Sequence, residues 1–428
     1  MSKKLKVSFV VIGIVLLLVK LSWPVYQAMA HKGKASFLPF YQFIAIPKES
    51  PRQHKLFNED YKKSALTALK SIDEHKDTIN APAISAAVAI DGKLIWAGAA
   101  GWADIATRKP ATIDSQFRIG STSKALTGTA LARMVDAQQI KLDNSIGSYL
   151  RNLKNDRWHK ITPRQLASHT AGLPHYFKNN DYLGFYRTIA LSTRYEQVQQ
   201  ALTVFDGSDL LFEPGSQFSY SSFGTVLLSA AMEGAADMPY LDIMQSQVFT
   251  PLNMLSTKAE YQANADDQLA TFYWNNKGKQ SLVREWREVD LSHRLAGGGF
   301  ISTSTDLVKM GAAYMQNDFI SAQTRETFWT PQILPDGSET PNGYALGWRV
   351  ITRKIDDDIG EVTFANHGGV SRGAQSWLMV IPEHNMSIAV NINANTEVFW
   401  HFGKVSMQLA KTFILAKNDM TQRSINSL

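Results

Sequence analysis

The feature that most limits the fold is the placement of β-rich segments towards both ends of the chain, with a helical stretch between them. Ile84 to Ala99 is rich in strand formers and is broken by Asp91-Gly92, a hairpin turn signal. Beyond Tyr344 four more such segments follow: Leu346 to Thr352, Glu361 to Asn366, Gln375 to Ile381 and Ser387 to Asn393. From about Asp143 to Thr330 the apolar spacing is mostly helical, with long loops punctuated by Pro163, Pro174, Pro214, Pro239 and Pro251. Strands from distant parts of a chain that share one sheet require a discontinuous domain. The expected fold is α/β in the α+β sense. An antiparallel sheet flanked by helices is built from residues 59–148 and 331–416, and a mostly helical domain, 149–330, is inserted. Helices over Asp60–Ile79, Ser121–Gln138 and Val398–Leu415 cover the sheet, and a polar tail, 417–428, frays. With 428 residues, 44% of them apolar, the chain can bury a core of that size.

Residues 1–30 read as a targeting segment rather than as part of this fold. Lys3, Lys4 and Lys6 precede the apolar run Val7 to Val19, which is too short by itself to cross a bilayer. The run reaches across if Lys20 snorkels and Leu21 to Tyr26 continue the helix. Ala28-Met29-Ala30 fits a small-x-small cleavage site. Both an uncleaved anchor and a cleaved signal fit. In either case the lysines stay inside and the rest of the chain is exported, either anchored at the inner membrane facing the periplasm or released. Residues 31–58 read as a linker or strap, with aromatic Phe37 to Phe43 packed on the domain or, as the alternative, set at the membrane interface.

Composition removes several function classes. The chain has no cysteine, which excludes disulfides, thiolate metal sites, a catalytic Cys and a lipidated Cys. A net charge of +6 is spread without a basic, aromatic-interleaved stripe, so a nucleic-acid partner is not expected. His169 and His175 lack the compact spacing of a metal site. No cofactor is expected. Any nucleophile must be Ser, Thr, Lys or a carboxylate.

Ser121-Thr122-Ser123-Lys124 opens a helix. There the first N–H groups are unpaired and the dipole favours negative charge, so a hydroxyl attacking a carbonyl leaves its oxyanion beside donors. Lys124, three residues on, shares a helix face with Ser121. To act as a base it must lose its proton, which burial beside other cations promotes. Tyr220-Ser221-Ser222 lies on a loop entering the apolar helix Thr225 to Met232. The Tyr220 phenol would shuttle a proton to the leaving group, or activate a deacylating water if its pKa is depressed. His367-Gly368-Gly369 follows the strand Val362 to Asn366, and its glycines would let a substrate lie close to the strand edge. The Val370 N–H would face that of Ser121 as the second oxyanion donor.

In this order the three elements resemble the serine β-lactamase and penicillin-binding-protein superfamily. The branch is that of class C β-lactamases and of carboxypeptidases and esterases of the same fold. Connecting segments are similar too: Phe117 to Gly120, Ile161 to Leu166 running into His169-Thr170-Ala171-Gly172-Leu173, Phe212 to Gly215, Thr250 to Met254 and Ala296 to Thr303. The wording around Gly215 to Phe218 and Ala296 to Phe300 is most similar to the mitochondrial serine β-lactamase-like group and its bacterial relatives. The resemblance implies an acyl-enzyme mechanism. Ser121 is then the nucleophile, Lys124 its base or relay, and Tyr220 assists leaving-group protonation and deacylation. The N–H groups of Ser121 and Val370 hold the oxyanion.

Two departures bear on substrate. The Tyr motif carries Ser222 where class C enzymes carry Asn, which removes a two-way hydrogen-bonding group. His367-Gly368-Gly369 stands in place of Lys-Thr-Gly, exchanging a fixed cation for a group that ordinarily titrates near neutrality. His367 would either bias a hydrogen-bond network or contact a substrate carboxylate. Arg372 is either a contact for such a carboxylate or a surface residue. Gly369-Val370-Ser371-Arg372-Gly373 also matches the G-x-S-x-G elbow of α/β-hydrolases, but that elbow needs a helix after it, and a β-like segment follows here. The expected function is an exported, membrane-tethered serine hydrolase acting on an amide or ester, peptide or small molecule. A true β-lactamase, a penicillin-type acylation sensor and a non-catalytic structural protein are the alternatives.

Overall fold

The computed structural model describes residues 3–31, 34–36, 38, 42–263, 268–275 and 281–426. Seven strands form one antiparallel sheet: β1 (Arg52–Leu56), β2 (Ala83–Ile90), β3 (Lys93–Asp104), β4 (Arg349–Asp356), β5 (Gly360–Ser371), β6 (Ala374–Ile381) and β7 (Met386–Ile392). Their spatial order is β4-β5-β6-β7-β2-β3-β1, and a two-residue strand, Lys109–Pro110, pairs with β3 as an eighth. The strands from the two ends of the chain meet at β7 and β2, where Met386 pairs with Ile90 and Ile392 with Ile84.

The helices that bear on the site are α1 (Lys3–His31), α2 (Lys62–Thr78), α3 (Ser123–Asp136), α4 (Tyr182–Ala190), α5 (Ser222–Ala236), α6 (Ser304–Tyr314) and α7 (Phe399–Asn426). Alternation along β2 assigns its two faces. Ile84, Ala86, Val88 and Ile90 point into the layer of α2 and α7 with Ile72, Leu409 and Phe413. Ala87 and Ala89 point the other way, into the layer of α3, α5 and α6 with Leu126, Phe223 and Leu307. Each fully buried Ile or Phe of these layers contributes roughly 1.5–3 kcal/mol by burial. Small residues face α6 because it lies close: a Cβ at Gly311 would stand 2.1 Å from Ser387 Oγ.

Four local expectations differ from the structure. Part of the 31–58 segment is sheet, since β1 pairs with β3 from Arg52–Ala100 to Leu56–Trp96. Its composition is polar and shows no alternation, because only an edge position is asked of it. Leu346 to Trp348 is not strand: Gly347, at φ 78°, turns the chain so that it lies against Lys124 and Gly128 of α3, and β4 begins at Arg349. The helical middle contains a hairpin, Tyr273–Asn275 with Leu282–Glu285, to which Ile44–Ala45 adds a strand. The tail does not fray at Lys417: α7 runs on to Asn426, held where Lys417 Nζ donates to Asp91 and to the His384 carbonyl. Phe37, Pro39, Phe40 and Tyr41 of the aromatic strap lie outside the described residues.

α1 is one helix with Pro24 inside it. Its side chains from Leu5 to Val19 are exposed, whereas its last turns pack on the body of the protein, with Ala30 1% exposed. Tyr186 of α4 donates to the Leu21 carbonyl at 3.1 Å. Trp274 Nε1 donates to the His31 carbonyl, and Arg284 Nη2 reaches His31 Nε2 at 2.8 Å.

Candidate active site

Ser121 lies in a single 3-10 turn, Gly120–Thr122, between the short strand Phe117–Arg118 and α3. That strand pairs with Phe300–Ser302, and the Ile119 N–H donates to the Phe300 carbonyl. The turn is docked on the edge of β5. β4 pairs with β5 only as far as Asn366, so residues 367–371 keep β6 on one side and have no strand on the other, where Thr122 Oγ1 donates to the His367 carbonyl. Gly120 has φ 50°, and a Cβ there would stand 2.7 Å from the Val370 carbonyl carbon. A Cβ at Gly369 would stand 1.8 Å from the Ile119 oxygen. The expectation for the two glycines is thereby corrected. Their room is taken by protein, Gly369 by the nucleophile turn and Gly368 by the Phe399 ring, and not by a substrate. Val370, between them and the hairpin, is exposed.

Lys124 is 1% exposed. Its Nζ lies 3.3 Å from Ser121 Oγ, 2.9 Å from Ser222 Oγ and 2.6 Å from the Gly297 carbonyl. Burial holds its pKa well below the usual lysine value, and the cations Arg349 and Arg294 push the same way. A neutral amine has two N–H groups and one lone pair. The Gly297 oxygen can only accept and takes one N–H; Ser222 takes the other. The lone pair is then left for the Ser121 hydroxyl.

Tyr220 places its ring under Lys124, with Nζ 4.9 Å from the centroid, and stands close enough to Ser121 for that side chain to act on its pKa. Burial raises its pKa above the usual phenol value, against the opposing pull of Ser121 and Arg349. The condition for activating a water through a phenolate, a depressed pKa, is therefore not met. Ser221 caps α5, its Oγ accepting from the Gly224 N–H, which fixes the approach of Tyr220.

His367 is fully buried and does not face the strand-free edge. The expectation that it titrates near neutrality or meets a substrate carboxylate is corrected: burial first, then Arg349 and Lys124, holds its pKa well below 6.5. It belongs to a chain of hydrogen bonds whose protons can be assigned end to end. The Ser221 N–H donates to His169 Nδ1, so the His169 proton sits on Nε2, 2.9 Å from the Tyr344 hydroxyl. Tyr344 donates to His367 Nε2 at 3.0 Å, and His367 Nδ1–H donates to the Gly368 carbonyl. Both rings are neutral in this arrangement. His175 accepts from the Ser222 N–H, and burial with Lys124 and Arg294 pushes its pKa down to about 3.

The structure brings Ser121, Lys124, Tyr220 and Ser222 together at the β5 edge. Ser371, the serine of the G-x-S-x-G match, ends β5, and a hairpin into β6 follows instead of a helix. Arg372 occupies that hairpin, half-buried, with no ion pair among the described residues. Its backbone oxygen accepts from Arg118, whose guanidinium grips Glu260 through two bonds. Sequence reasoning missed Arg349, whose guanidinium stands 5.8 Å from the Tyr220 ring centre, and Arg294, buried with Nη2 unpartnered. It also missed Tyr344 and the Gly297 carbonyl.

The β-lactamase family profile matches residues 70–407. The human "Serine beta-lactamase-like protein LACTB, mitochondrial" is 30% identical over 394 residues, spanning 74% of this chain and 72% of that protein. Among solved structures, a D-amino acid amidase from Ochrobactrum anthropi SV3 superposes with a TM-score of 0.66 at 19% identity, over 82% of this chain and 99% of that one. A class C β-lactamase does so with a TM-score of 0.65 at 19% identity, over 83% of this chain and 98% of that one. The match extends from α2 into α7 and takes in Ser121, Lys124, Tyr220 and His367, and a match of that extent makes this chain a member of the β-lactamase family.

Proposed function

We propose that the protein is a membrane-anchored serine hydrolase that cleaves an amide or ester through an acyl-Ser121 intermediate. The observation that carries this reading is the burial of Lys124 with its lone pair left for Ser121 Oγ. Lys124 takes the Ser121 proton as Oγ attacks the carbonyl carbon. The N–H groups of Ser121 and Val370 receive the oxyanion. As the tetrahedral adduct collapses, the bond to the leaving group breaks, and Tyr220, a protonated phenol, hands it a proton and is reprotonated from Lys124. Water then attacks the acyl carbon and passes its proton through the Tyr220 hydroxyl to Lys124; the Ser121 oxygen takes that proton as its bond to the acyl carbon breaks, which releases the acid and free Ser121.

Ser222 and His367 favour peptides or esters over β-lactams in this reading. Ser222 is spent on Lys124 and is 1% exposed, and His367 is buried and neutral, so neither offers a substrate the contact that Asn or Lys would. Retention of α1 as an anchor is favoured over cleavage by the burial of Ala30 and the locked His31. The helix has 27 residues from Leu5 to His31, about 40 Å at 1.5 Å per residue, enough to span and then enter the protein.

The test is the intact mass of the full chain in detergent after incubation with a fluorophosphonate. A single adduct on the wild type and none on Ser121→Ala supports the assignment. No adduct on either protein removes it and moves a structural role ahead.

A further inference from the structure

A cavity of about 1130 Å³ lies beside the site, across the β5 edge from Ser121. Val370 and Arg372 form one lip. The facing wall is the end of the anchor helix, Ala28 and His31, with Ile189 of α4 and Trp286 behind it. Ser121 and Lys124 are not in the lining, so the edge at Val370 is where cavity and nucleophile meet.

Two independent observations say what the cavity takes. The first is its position. The helix whose Leu5 to Val19 face is exposed and apolar runs without a break into the cavity wall. Beside it α4 exposes Tyr182, at 90%, and Leu183, one turn before the Tyr186 that bonds Leu21. Trp23 and Tyr26 pair their rings on the anchor, 5.3 Å between centres. Aromatic residues of this kind, at the end of an apolar helix, mark the headgroup level of a bilayer. The second is charge. Arg372 and Arg287 line the cavity, and Arg294 and Arg118 stand close enough to act on Arg372. Arg118 has the carboxylate of Glu260, whereas Arg372 has no ion pair among the described residues. Arg294 keeps Nη2 buried and unpartnered, and Glu397 is the one acid among the described lining residues. Burial and these neighbouring cations push Arg372 down to about 9, the direction expected where an anion is absent.

We infer that this cavity is a subsite for an anionic amphiphile drawn from the membrane surface, whose acidic group meets Arg372 while its ester or amide lies at Ser121. The inference rests on the hydrolase reading of Ser121. Arg372 stands in the turn that ends β5, two residues from the oxyanion donor Val370, so their Cα atoms are at most about 7 Å apart. A phosphate one glycerol away from the scissile carbonyl fits that spacing, and the acyl chain runs along the apolar wall toward the anchor.

The test uses the full chain reconstituted in phosphatidylcholine vesicles and three ester probes: lauroyl lysophosphatidic acid, monolaurin and acetyl glycerophosphate. The expected kcat/KM for lauroyl lysophosphatidic acid exceeds that of each of the others by at least about tenfold. In Arg372→Gln the ratio of lauroyl lysophosphatidic acid to monolaurin falls by about tenfold; a ratio within one protein is insensitive to partial misfolding. Equal rates on the acidic and neutral long-chain esters, or a ratio that Arg372→Gln does not move, would overturn the anion contact. Equal rates on the two acidic probes would overturn the membrane source. In each of these cases a fluorophosphonate adduct on Ser121 leaves the hydrolase reading standing. Absence of both adduct and turnover takes the two readings down together.

Discussion

The Tyr344 hydroxyl and His367 Nε2 meet at 3.0 Å in a space closed to solvent, and this contact joins the β5 edge to the loop that carries His169. Of the two roles open to His367 from the sequence, a hydrogen-bond network or a substrate carboxylate, it places the ring in the network. Tyr344→Phe would leave the His169 Nε2–H without an acceptor and His367 Nε2 without a donor. Leaving buried polar groups unsatisfied costs about 1–3 kcal/mol each. Urea unfolding of the variant is expected to show a loss in that range. A change below about 0.5 kcal/mol would mean that water replaces the hydroxyl and that the contact carries no weight.

The same buried rings set a pH dependence. His169 and His367 are held well below 6.5 and His175 at about 3, in each case by burial first and nearby cations second. Each therefore binds a proton more readily unfolded than folded. Stability is full above pH 6.5 and is lost as pH falls from there towards the folded values. The slope is at most about 1.4 kcal/mol per pH unit for each ring. Thermal scans between pH 7.5 and pH 5 are expected to show a falling Tm. His175→Gln, which keeps an acceptor for the Ser222 N–H, is expected to flatten the slope. A Tm that does not move over this interval would contradict the neutral assignment.

How much of this is legible in the chain divides along a physical line. Ser121, Lys124 and Tyr220 are legible because each motif is a short run of fixed residue types, and their order survives folding. The antiparallel sheet is legible because period-2 strands and the Asp91-Gly92 turn are local signals. The state of His367 is not, since burial and the approach of Tyr344 come from strands and loops brought together only in three dimensions. The same holds for Gly369, whose missing side chain makes room for the Ile119 carbonyl, a contact across hundreds of residues. Arg349 reads as an ordinary residue of a β-rich segment, and only the turn at Gly347 aims it at Tyr220. The break of α7 expected at Lys417 fails because the lysine is bound to Asp91, a partner no local pattern reveals.

A protonated Tyr220 separates the two halves of the reaction. Its ring lies against Lys124, and its pKa is raised by burial. In acylation the leaving group can also take its proton from Lys124, which has just received the one from Ser121. In deacylation the water has no such second route. Tyr220→Phe is expected to slow deacylation more than acylation, by roughly 10²-fold or more. Stopped-flow release of p-nitrophenol should then show a burst that grows relative to steady-state turnover. A burst that shrinks would assign the tyrosine to acylation instead.

Lys124 carries opposite effects on activity and stability, and one variant exposes both. Its folded pKa lies well below 10.5, so the unfolded chain binds one more proton over the interval between the two values. That proton favours unfolding, and the effect grows as pH falls from 10.5 toward the folded value. Lys124→Met keeps most of the volume and removes the ionisable group. It forfeits the bonds to Ser222 and Gly297, each worth about 1 kcal/mol. Burial is the main cause of the lowered pKa, and removing the amine removes the cost of keeping it out of water. The variant is expected to lose at least about 10³-fold in hydrolysis. Its Tm at pH 7 should nonetheless rise by about 2 °C or more, with the gain shrinking toward pH 10. The pair of measurements is decisive because a merely structural lysine predicts the reverse, a fall in Tm with hydrolysis little changed.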